Sequence, residues 1–337
     1  MSIFRNKNIL VTGGTGLIGR PLVEMLLAEG AHVRVASLDD PSRAPAGTEF
    51  KRTDLTLLEN CLEACRDMDQ VFHLAGIKGS PAMTHTRPAS FFFPTVSFNT
   101  NMMEAARRRK VDRYLFTSTV GVYAPAEVMH EDDVWRTFPS PNDRFAGWAK
   151  RLGELQAEAY ALEYGWDRIG IVRPPNVYGP YDNFDPEGGM VVPSLIRRAV
   201  EGERPLTVWG DGSPVRDFIH ARDVARGMLL VMEKGLGKPV NLGSGTGVSI
   251  RRLVEVVVAS LGEPCEIAWD TTKPAGDKMR VLDVARARAI GFKTEVSLED
   301  GIAETMAWYK AHRAKLPPRY DVFKDTMFRP AARPAKT

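Results

Sequence analysis

Cysteine is scarce in this sequence, with three in 337 residues. Cys61 and Cys65 stand one helical turn apart and Cys265 stands alone. That usage offers neither the ligand spacing of a metal site nor a disulfide framework, and it fits a reducing compartment. Excess charge is lacking too. Lys and Arg total 45 against 42 Asp and Glu, a net charge of +3, which is too little to draw the chain to nucleic acid. The densest basic run, Arg107-Arg108-Arg109-Lys110, reads as the solvated C-terminal end of a helix, where cations complement the dipole. No apolar run is long enough to cross a bilayer, and no secretory leader is visible. The expectation is a soluble cytoplasmic enzyme without metal, membrane or nucleic-acid partner. With 44% hydrophobic and 26% charged residues, the chain can bury one large core or two closely packed ones.

The informative stretch is Asn8-Ile9-Leu10-Val11-Thr12-Gly13-Gly14-Thr15-Gly16-Leu17-Ile18-Gly19. A short apolar run ends in glycines, and the pattern beyond turns helical, with Leu22, Val23, Leu26 and Leu27 on one face. A strand that turns on glycine into a helix aims backbone N–H groups and a positive helix end at one point, which suits a pyrophosphate. Gly13 permits the tight turn, Gly16 lets the backbone approach the phosphates, and Gly19 lets helix and strand pack closely. Thr15, Leu17 and Ile18 share the loop and are expected at the dinucleotide with it.

The same alternation continues. Strands are predicted at Ile9–Val11, His32–Ala36, Gln70–Leu74, Arg113–Ser118 and Arg168–Arg173. Amphipathic helices fall near Pro21–Glu29, Leu57–Arg66, Val96–Arg109 and Ala149–Tyr164. The order predicts an α/β fold: a Rossmann-type, doubly wound parallel sheet with ligands at the carboxyl ends of its strands. After Arg173 the texture changes. Residues Pro174 to Gly189 read as a long loop, succeeded by a helix at Val191–Val200 and a strand at Pro205–Trp209. Phe218–Lys234 reads as a return to the first domain. Pro239–Asn241, Ile250–Leu261 and Glu266–Trp269 read as a smaller, mixed α/β lobe. These elements set the boundaries at 1–175 for the dinucleotide domain, with 215–236 returning to it, and at 176–214 with 237–315 for the substrate lobe. A tail at 316–337, rich in Pro, Arg and Lys, is expected to pack loosely.

Asp54-Leu55 comes after a third strand, and Asp54 can accept from an adenine amino group or cap the helix beginning near Leu57. Leu74-Ala75-Gly76 ends the next strand with small residues, where a ribose can lie against backbone; His73 itself reads as structural. At the end of the second strand Ser37 takes the position that meets the adenosine 2′ group. Asp39 and Asp40 come directly after and disfavour a phosphate, so NAD is expected rather than NADP, although Arg43 is close.

The run Tyr114 to Tyr123 is a strand ending in the hydroxyls of Thr117, Ser118 and Thr119, and Lys150 comes later, within Phe145-Ala146-Gly147-Trp148-Ala149-Lys150. Arg173-Pro174-Pro175-Asn176-Val177-Tyr178-Gly179-Pro180 is the next motif. In these motifs the chain resembles the extended short-chain dehydrogenase/reductase family, specifically its nucleotide-sugar enzymes, from residue 8 to about 310. The resemblance implies a hydroxyl residue at Thr119 and a Tyr-x-x-x-Lys motif on the next helix. The tyrosine moves a proton at the sugar hydroxyl. The lysine, here Lys150, lowers the tyrosine's pKa and binds the nicotinamide ribose, with Pro174 also at the cofactor.

Further motifs narrow the likeness. They are Gly179 to Pro186, Met190 to Arg198, Val208-Trp209-Gly210-Asp211-Gly212, Val215-Arg216-Asp217-Phe218, Asn241-Leu242-Gly243-Ser244-Gly245, Lys273-Pro274-Ala275-Gly276 and Arg280-Val281-Leu282-Asp283. Together they look most like the GDP-L-fucose synthase branch and related enzymes of GDP-hexoses and GDP-heptoses. Arg216 and Arg280 then clamp a sugar-nucleotide pyrophosphate with charge-assisted bonds. Asp283 accepts from ribose hydroxyls, Trp209 offers an apolar face, and Asn176 orients the sugar, with Val191 and Arg198 in the same site. A pairing of Arg280 with Asp283 on a helix, and a core position for Trp209, remain open alternatives.

The chain departs from the family where chemistry is done. Four residues before Lys150 stands Ala146, not tyrosine, and neighbouring Phe145 has no hydroxyl. Gly121 and Met190 stand where the branch carries the cysteine and histidine of its epimerisation. Thr119 and Lys150 are left as the catalytic residues. Such a site is suited to plain redox chemistry at one carbon, carbon 4 in this branch. The expected activity is an NAD-dependent nucleotide-sugar oxidoreductase, a 4-dehydrogenase on a GDP-linked hexose or heptose. A 4-ketoreductase, an epimerase or dehydratase of the same family, and a non-catalytic binder are the alternatives. The family's four-helix dimer interface would fall on Val96–Arg109 and Ala149–Tyr164, which implies a homodimer.

Overall fold

The described residues of this computed structural model are 2–77, 84, 86–273, 277–315 and 319–325. Pro274 to Gly276 of the Lys273 motif, and residues 316–318 and 326–337 of the tail, lie outside them. The first half supplies strands β1 (Asn8–Thr12), β2 (His32–Ser37), β3 (Glu49–Arg52), β4 (Gln70–His73), β5 (Arg113–Thr117) and β6 (Val128–Met129). Its helices are α1 (Gly19–Ala28), α2 (Leu58–Ala64), α3 (Pro88–Arg108) and α4 (Arg144–Tyr164). The second half adds β7 (Ile169–Arg173), β8 (Asn176–Tyr178), β9 (Leu206–Trp209), β10 (Val215–His220), β11 (Pro239–Asn241), β12 (Gly247–Ser249), β13 (Ile267–Asp270) and β14 (Met279–Leu282). Its helices are α5 (Val191–Val200), α6 (Ala221–Lys234), α7 (Ile250–Leu261), α8 (Ala285–Ala289) and α9 (Leu298–His312).

Seven strands form one parallel sheet in the order β11-β7-β5-β4-β1-β2-β3. Ile9, Leu10 and Val11 have no solvent exposure, as a central parallel strand covered on both faces requires. On one face Ile9 and Val11 pack with Leu22, Val23 and Leu26 of α1 and Val224, Met228 and Val231 of α6. On the other, Leu10 and Phe116 pack with Cys61 of α2, Met102 and Met103 of α3 and Ala157 of α4. Both Cys61 and Cys65 are buried, and burial pushes their thiols up, which agrees with a packing role. Helix α4 comes close to the sheet because Gly153 has no side chain; a Cβ there would lie 2.3 Å from the Phe116 ring. The strand order reverses between β1 and β4, so the crevice for a ligand opens at their carboxyl ends.

The lobe is built differently from the predicted one. A second, mixed sheet runs β12-β10-β14-β6, with β8 also on β10, and β9 pairs with β13 apart from it. Strand β10 is therefore central to the second sheet, not part of the first domain; only α6 returns, packing on α1 and β7. Conversely, β11 pairs with β7 and completes the large sheet, although the sequence pattern assigns it to the lobe. The long loop after Pro174 contains β8, a three-residue strand with no period of its own, defined by pairing with β10. Trp209 and Arg280 lie on strands β9 and β14, so a helical Arg280–Asp283 pair is excluded.

Sheet, helix and lobe meet at one buried node. Arg173, with no exposed side-chain surface, contacts Glu154 of α4 at 2.6 Å. It also donates to Tyr123 Oη (2.9 Å) and to the Glu131 carbonyl (2.8 Å). Tyr123 donates to Asn241 Oδ1 (2.6 Å), and Ser118 donates to Glu154 Oε1 (2.5 Å). Removing one partner of such a pair leaves an unpaired buried charge, worth about 3–5 kcal/mol. Glu154→Ala is expected to lower the urea midpoint by that equivalent; an unshifted midpoint would show that the pair does not hold the fold together.

Candidate active site

The glycine loop between β1 and α1 has the shape a dinucleotide requires. Gly13 has φ +69°, and a Cβ on it would lie 3.0 Å from the Ala75 nitrogen. A Cβ on Gly19 would lie 2.2 Å from the Gly13 carbonyl oxygen, so α1 can start only from glycine. Thr12 Oγ1 accepts from Leu74 N (3.1 Å) and Ala75 N (3.0 Å), which holds the Leu74-Ala75-Gly76 segment against the loop. At the end of β2 Thr15 Oγ1 lies 3.1 Å from Ser37 Oγ and donates to Asp39 Oδ2 at 2.6 Å. The carboxylate that meets the glycine loop at the end of β2 is thus Asp39. Buried Arg43 sits 3.9 Å from it. Burial, then the Arg319 charge, pushes the Arg43 guanidinium pKa down, with Asp39 acting against them. Asp54 accepts from Thr56 N (2.9 Å) and Thr56 Oγ1 (2.8 Å) in a local turn. It does not cap α2, whose N-cap is Leu57.

His73 is buried between Thr12 Oγ1 (2.9 Å) and Asn99 Oδ1 (3.0 Å). Burial, with Lys150 adding to it, pushes its pKa down to about 3, so it is a neutral structural ring. Lys150 Nζ donates to the same Asn99 oxygen at 3.3 Å and sits 5.0 Å from the centre of the Phe116 ring. Loss of hydration pushes its pKa down to about 7, Glu154 offsetting only part of the effect. A lysine poised at neutrality can hold or take a proton, as Arg cannot.

Across the cleft, Thr119 Oγ1 accepts from Gly121 N (3.2 Å) and caps the short turn Val120–Val122. Its own proton stays available to a ligand. Gly121 is filled from outside: a Cβ there would lie 3.2 Å from Asp143 Cβ. Asp143 brings a carboxylate beside Gly121 and pairs with Arg280 at 2.5 Å, while Arg280 Nε lies 3.2 Å from Asp277. Ala146 is partly buried, and its methyl packs with Phe145 against Phe91, Val322 and Phe323. The last two belong to the described part of the tail, 319–325, which is held here because its apolar pair finds this cover.

One cavity of about 840 Å³ joins these parts. It is lined by Gly13, Thr15, Gly16, Leu17, Ile18, Gly19, Ser37, Asp54, Leu55, Leu74, Ala75, Gly76, Lys150 and Pro174, the whole predicted cofactor set. Thr119, Asn176, Val191 and Arg280 line it as well, with Gly121, Ala146 and Met190. Four predicted substrate residues do not. Arg198 is tied to Glu203; Trp209 is 65% exposed, neither core nor cavity wall; Arg216 donates to its neighbour's carbonyl at 2.8 Å; Asp283 caps Ala285 N (3.0 Å). Asp143, Arg319, Tyr320 and Val322 line the cavity without having been expected there. No motif marks them. The one available signal was an aromatic cluster, Tyr320 and Phe323, inside a tail otherwise rich in Pro, Arg and Lys.

Residues 9–243 match the family described as the NAD dependent epimerase/dehydratase family. GDP-L-fucose synthase 1 of Arabidopsis thaliana is 31% identical over 313 residues, covering 90% of this chain and 94% of that one. A dTDP-4-dehydro-6-deoxy-D-allose reductase of Streptomyces bikiniensis is 31% identical over 319 residues, covering 91% and 97%. Among solved structures, a Thermus thermophilus UDP-glucose 4-epimerase in complex with NAD superposes with a TM-score of 0.79 at 29% identity, covering 90% of this chain and 99% of that one.

Proposed function

This chain belongs to the NAD-dependent epimerase/dehydratase family, and from that premise we propose that it is an NAD(H)-dependent oxidoreductase of a nucleotide-linked sugar. The proposed reaction is oxidation at sugar carbon 4, with a GDP-linked hexose or heptose as substrate. One observation carries the reading: a single cavity runs from the dinucleotide loop past Thr119 and Lys150 to Asn176 and Arg280. Position 4 is named in relatives that act as a 4-dehydro-sugar reductase and a 4-epimerase, and the guanine base is favoured by the GDP-L-fucose synthases.

Bound NAD supplies the hydride acceptor; everything else is done by the chain. The Gly13–Gly19 loop holds the cofactor phosphates, and Asp39 at the end of β2 favours a ribose diol over a phosphate. Thr119 donates its hydroxyl proton to the sugar oxygen and orients it. Lys150, neutral above about pH 7, accepts the proton of that alcohol, directly or through water, as the C–H and O–H bonds are lost. Gly121 and Met190 offer no group that moves a proton at a neighbouring carbon, so the chemistry ends at the ketone. Arg280 exchanges Asp143 and Asp277 for the substrate's phosphates. A second copy of the chain is the proposed cover for the outer faces of α3 and α4, where Phe93, Leu152, Leu155 and Leu162 are exposed.

The deciding experiment is a panel of nucleotide sugars monitored by NADH absorbance in both directions. GDP-linked sugars are expected to transfer hydride. Arg280→Ala is expected to weaken their binding roughly ten- to a hundred-fold, the effect of losing a charge-assisted contact of about 1.5–3 kcal/mol, and to leave NAD binding intact. Binding of sugar nucleotide without hydride transfer to any member would make the protein a non-catalytic binder.

Light scattering at micromolar concentration is expected to return twice the chain mass; a monomer would remove the proposed interface.

The missing tyrosine provides a further test. Ala146 packs on the cluster of Phe91, Val322 and Phe323 at the cavity wall, so a tyrosine there would crowd that cluster or the cavity. Ala146→Tyr is expected to leave turnover flat or lower it, and Lys150→Met to abolish it. The wild-type oxidation rate should rise with pH through about 7, as the Lys150 amine loses its proton. A gain approaching the roughly 10²–10⁴-fold worth of general acid–base catalysis in Ala146→Tyr would show that the site had merely lost its tyrosine.

A further inference from the structure

Among the described residues, Arg319 makes no hydrogen bond and no ion pair, and its Nε is shielded from solvent without a partner. Its guanidinium lies over the glycine loop, with Nη2 3.6 Å from the point where a Cβ on Gly16 would stand. That face of Gly16 opens on the cavity, which Arg319 also lines. The loop carries no cation of its own between Gly13 and Gly19. The next residue, Arg20, is committed elsewhere: it donates to the Arg43 carbonyl (2.9 Å), pairs with Glu24 (3.1 Å) and lies over the Tyr181 ring (4.5 Å).

Arg319 is partly buried with its Nε cut off from solvent, and the charge of Arg43 lies beside it, so a guanidinium there without a partner is unfavourable. The arrangement is reasonable if an anion completes it. We propose that Arg319 is a cofactor-binding residue, the cation that the C-terminal segment lays across the glycine loop to hold the dinucleotide pyrophosphate. Charge-assisted bonds from a guanidinium fork match phosphate oxygens, which the loop's backbone N–H groups alone cannot neutralise.

The segment is held in place by contacts of its own. Tyr320 N donates to Asp39 Oδ1 (2.8 Å), and Lys324 pairs with Asp185 (3.1 Å). Val322 and Phe323 are buried against Phe91, and Arg87 donates to the Phe323 carbonyl. Arg319 is therefore stationed before the cofactor arrives, and little ordering is left to oppose binding. The same segment then closes over the cofactor from the adenosine end, at Asp39, to the flank of Ala146.

This inference rests on the dinucleotide reading, and the test separates the two. Wild type and Arg319→Ala are titrated calorimetrically with NADH, NADPH, ADP and adenosine, and NADH release is timed by stopped-flow fluorescence. Arg319→Ala is expected to lose ten- to a hundred-fold in affinity for NADH and ADP alike, to release NADH faster, and to keep its affinity for adenosine. Arg319→Lys is expected to recover part of the loss. The melting temperature without ligand should hold or rise, since an unpartnered charge has been removed; a structural role would lower it. Equal NADH affinity in the two proteins would overturn the proposal. So would a loss confined to NADPH, which would assign Arg319 to a 2′-phosphate. A wild type that binds neither NADH nor ADP would instead overturn the dinucleotide reading itself.

Discussion

A guanidinium and a carboxylate shut away from water set the geometry of this molecule. Arg173 ends β7, Glu154 lies midway along α4, and the pair is fully buried. Each extra bond of that pair belongs to a different part of the fold. Ser118 ties in the end of β5, and Tyr123 with Asn241 ties in β11 and the second sheet. Thr119 is the next residue after Ser118, and Lys150 lies one helical turn before Glu154. The distance between the two catalytic candidates is thus governed by a structural ion pair that touches neither cofactor nor substrate. Such a pair contributes little net stability against an apolar substitute, but half of it cannot be removed cheaply.

Gly121, Ala146 and Met190, where the sequence departs from the expected motifs, do not share one environment. Gly121 is filled by Asp143, which carries a carboxylate into the cleft and holds Arg280. Ala146 lines the cavity and, with Phe145, packs on the cluster of Phe91, Val322 and Phe323. Met190 remains as part of the wall. All three positions line the same cavity, with neighbours packed beside two of them. Lys150 also lines this cavity, and loss of hydration brings its pKa down to about 7.

The parallel sheet and the glycine turn could be read from the chain because the signals for each are local. Glycine spacing, a buried apolar run and a helical face lie within twenty residues, and a parallel sheet repeats that unit. The lobe could not be read in this way. β8, β10 and β11 are short, and none announces its partner; Val215 to His220 belongs to the second sheet only because β14 and β12 lie beside it. Arg216, Trp209, Asp283 and Arg198 matched a pattern of residue types, yet none of them lines the cavity, and Arg216 reaches only as far as the charges of Arg280, Asp143 and Asp277 beside it. Motif identity constrains which strand a residue occupies but not what its side chain meets.

By itself the sequence determined the doubly wound sheet and the glycine turn. These depend on backbone conformation and hydrophobic period, which act over a few residues. Only the tertiary structure decided that Asp143 stands beside Gly121, that burial lowers the Lys150 pKa to about 7, and that Arg319, Tyr320 and Val322 line the cavity. Those properties belong to groups far apart in the chain, brought together by burial, and burial is set by everything that packs around them.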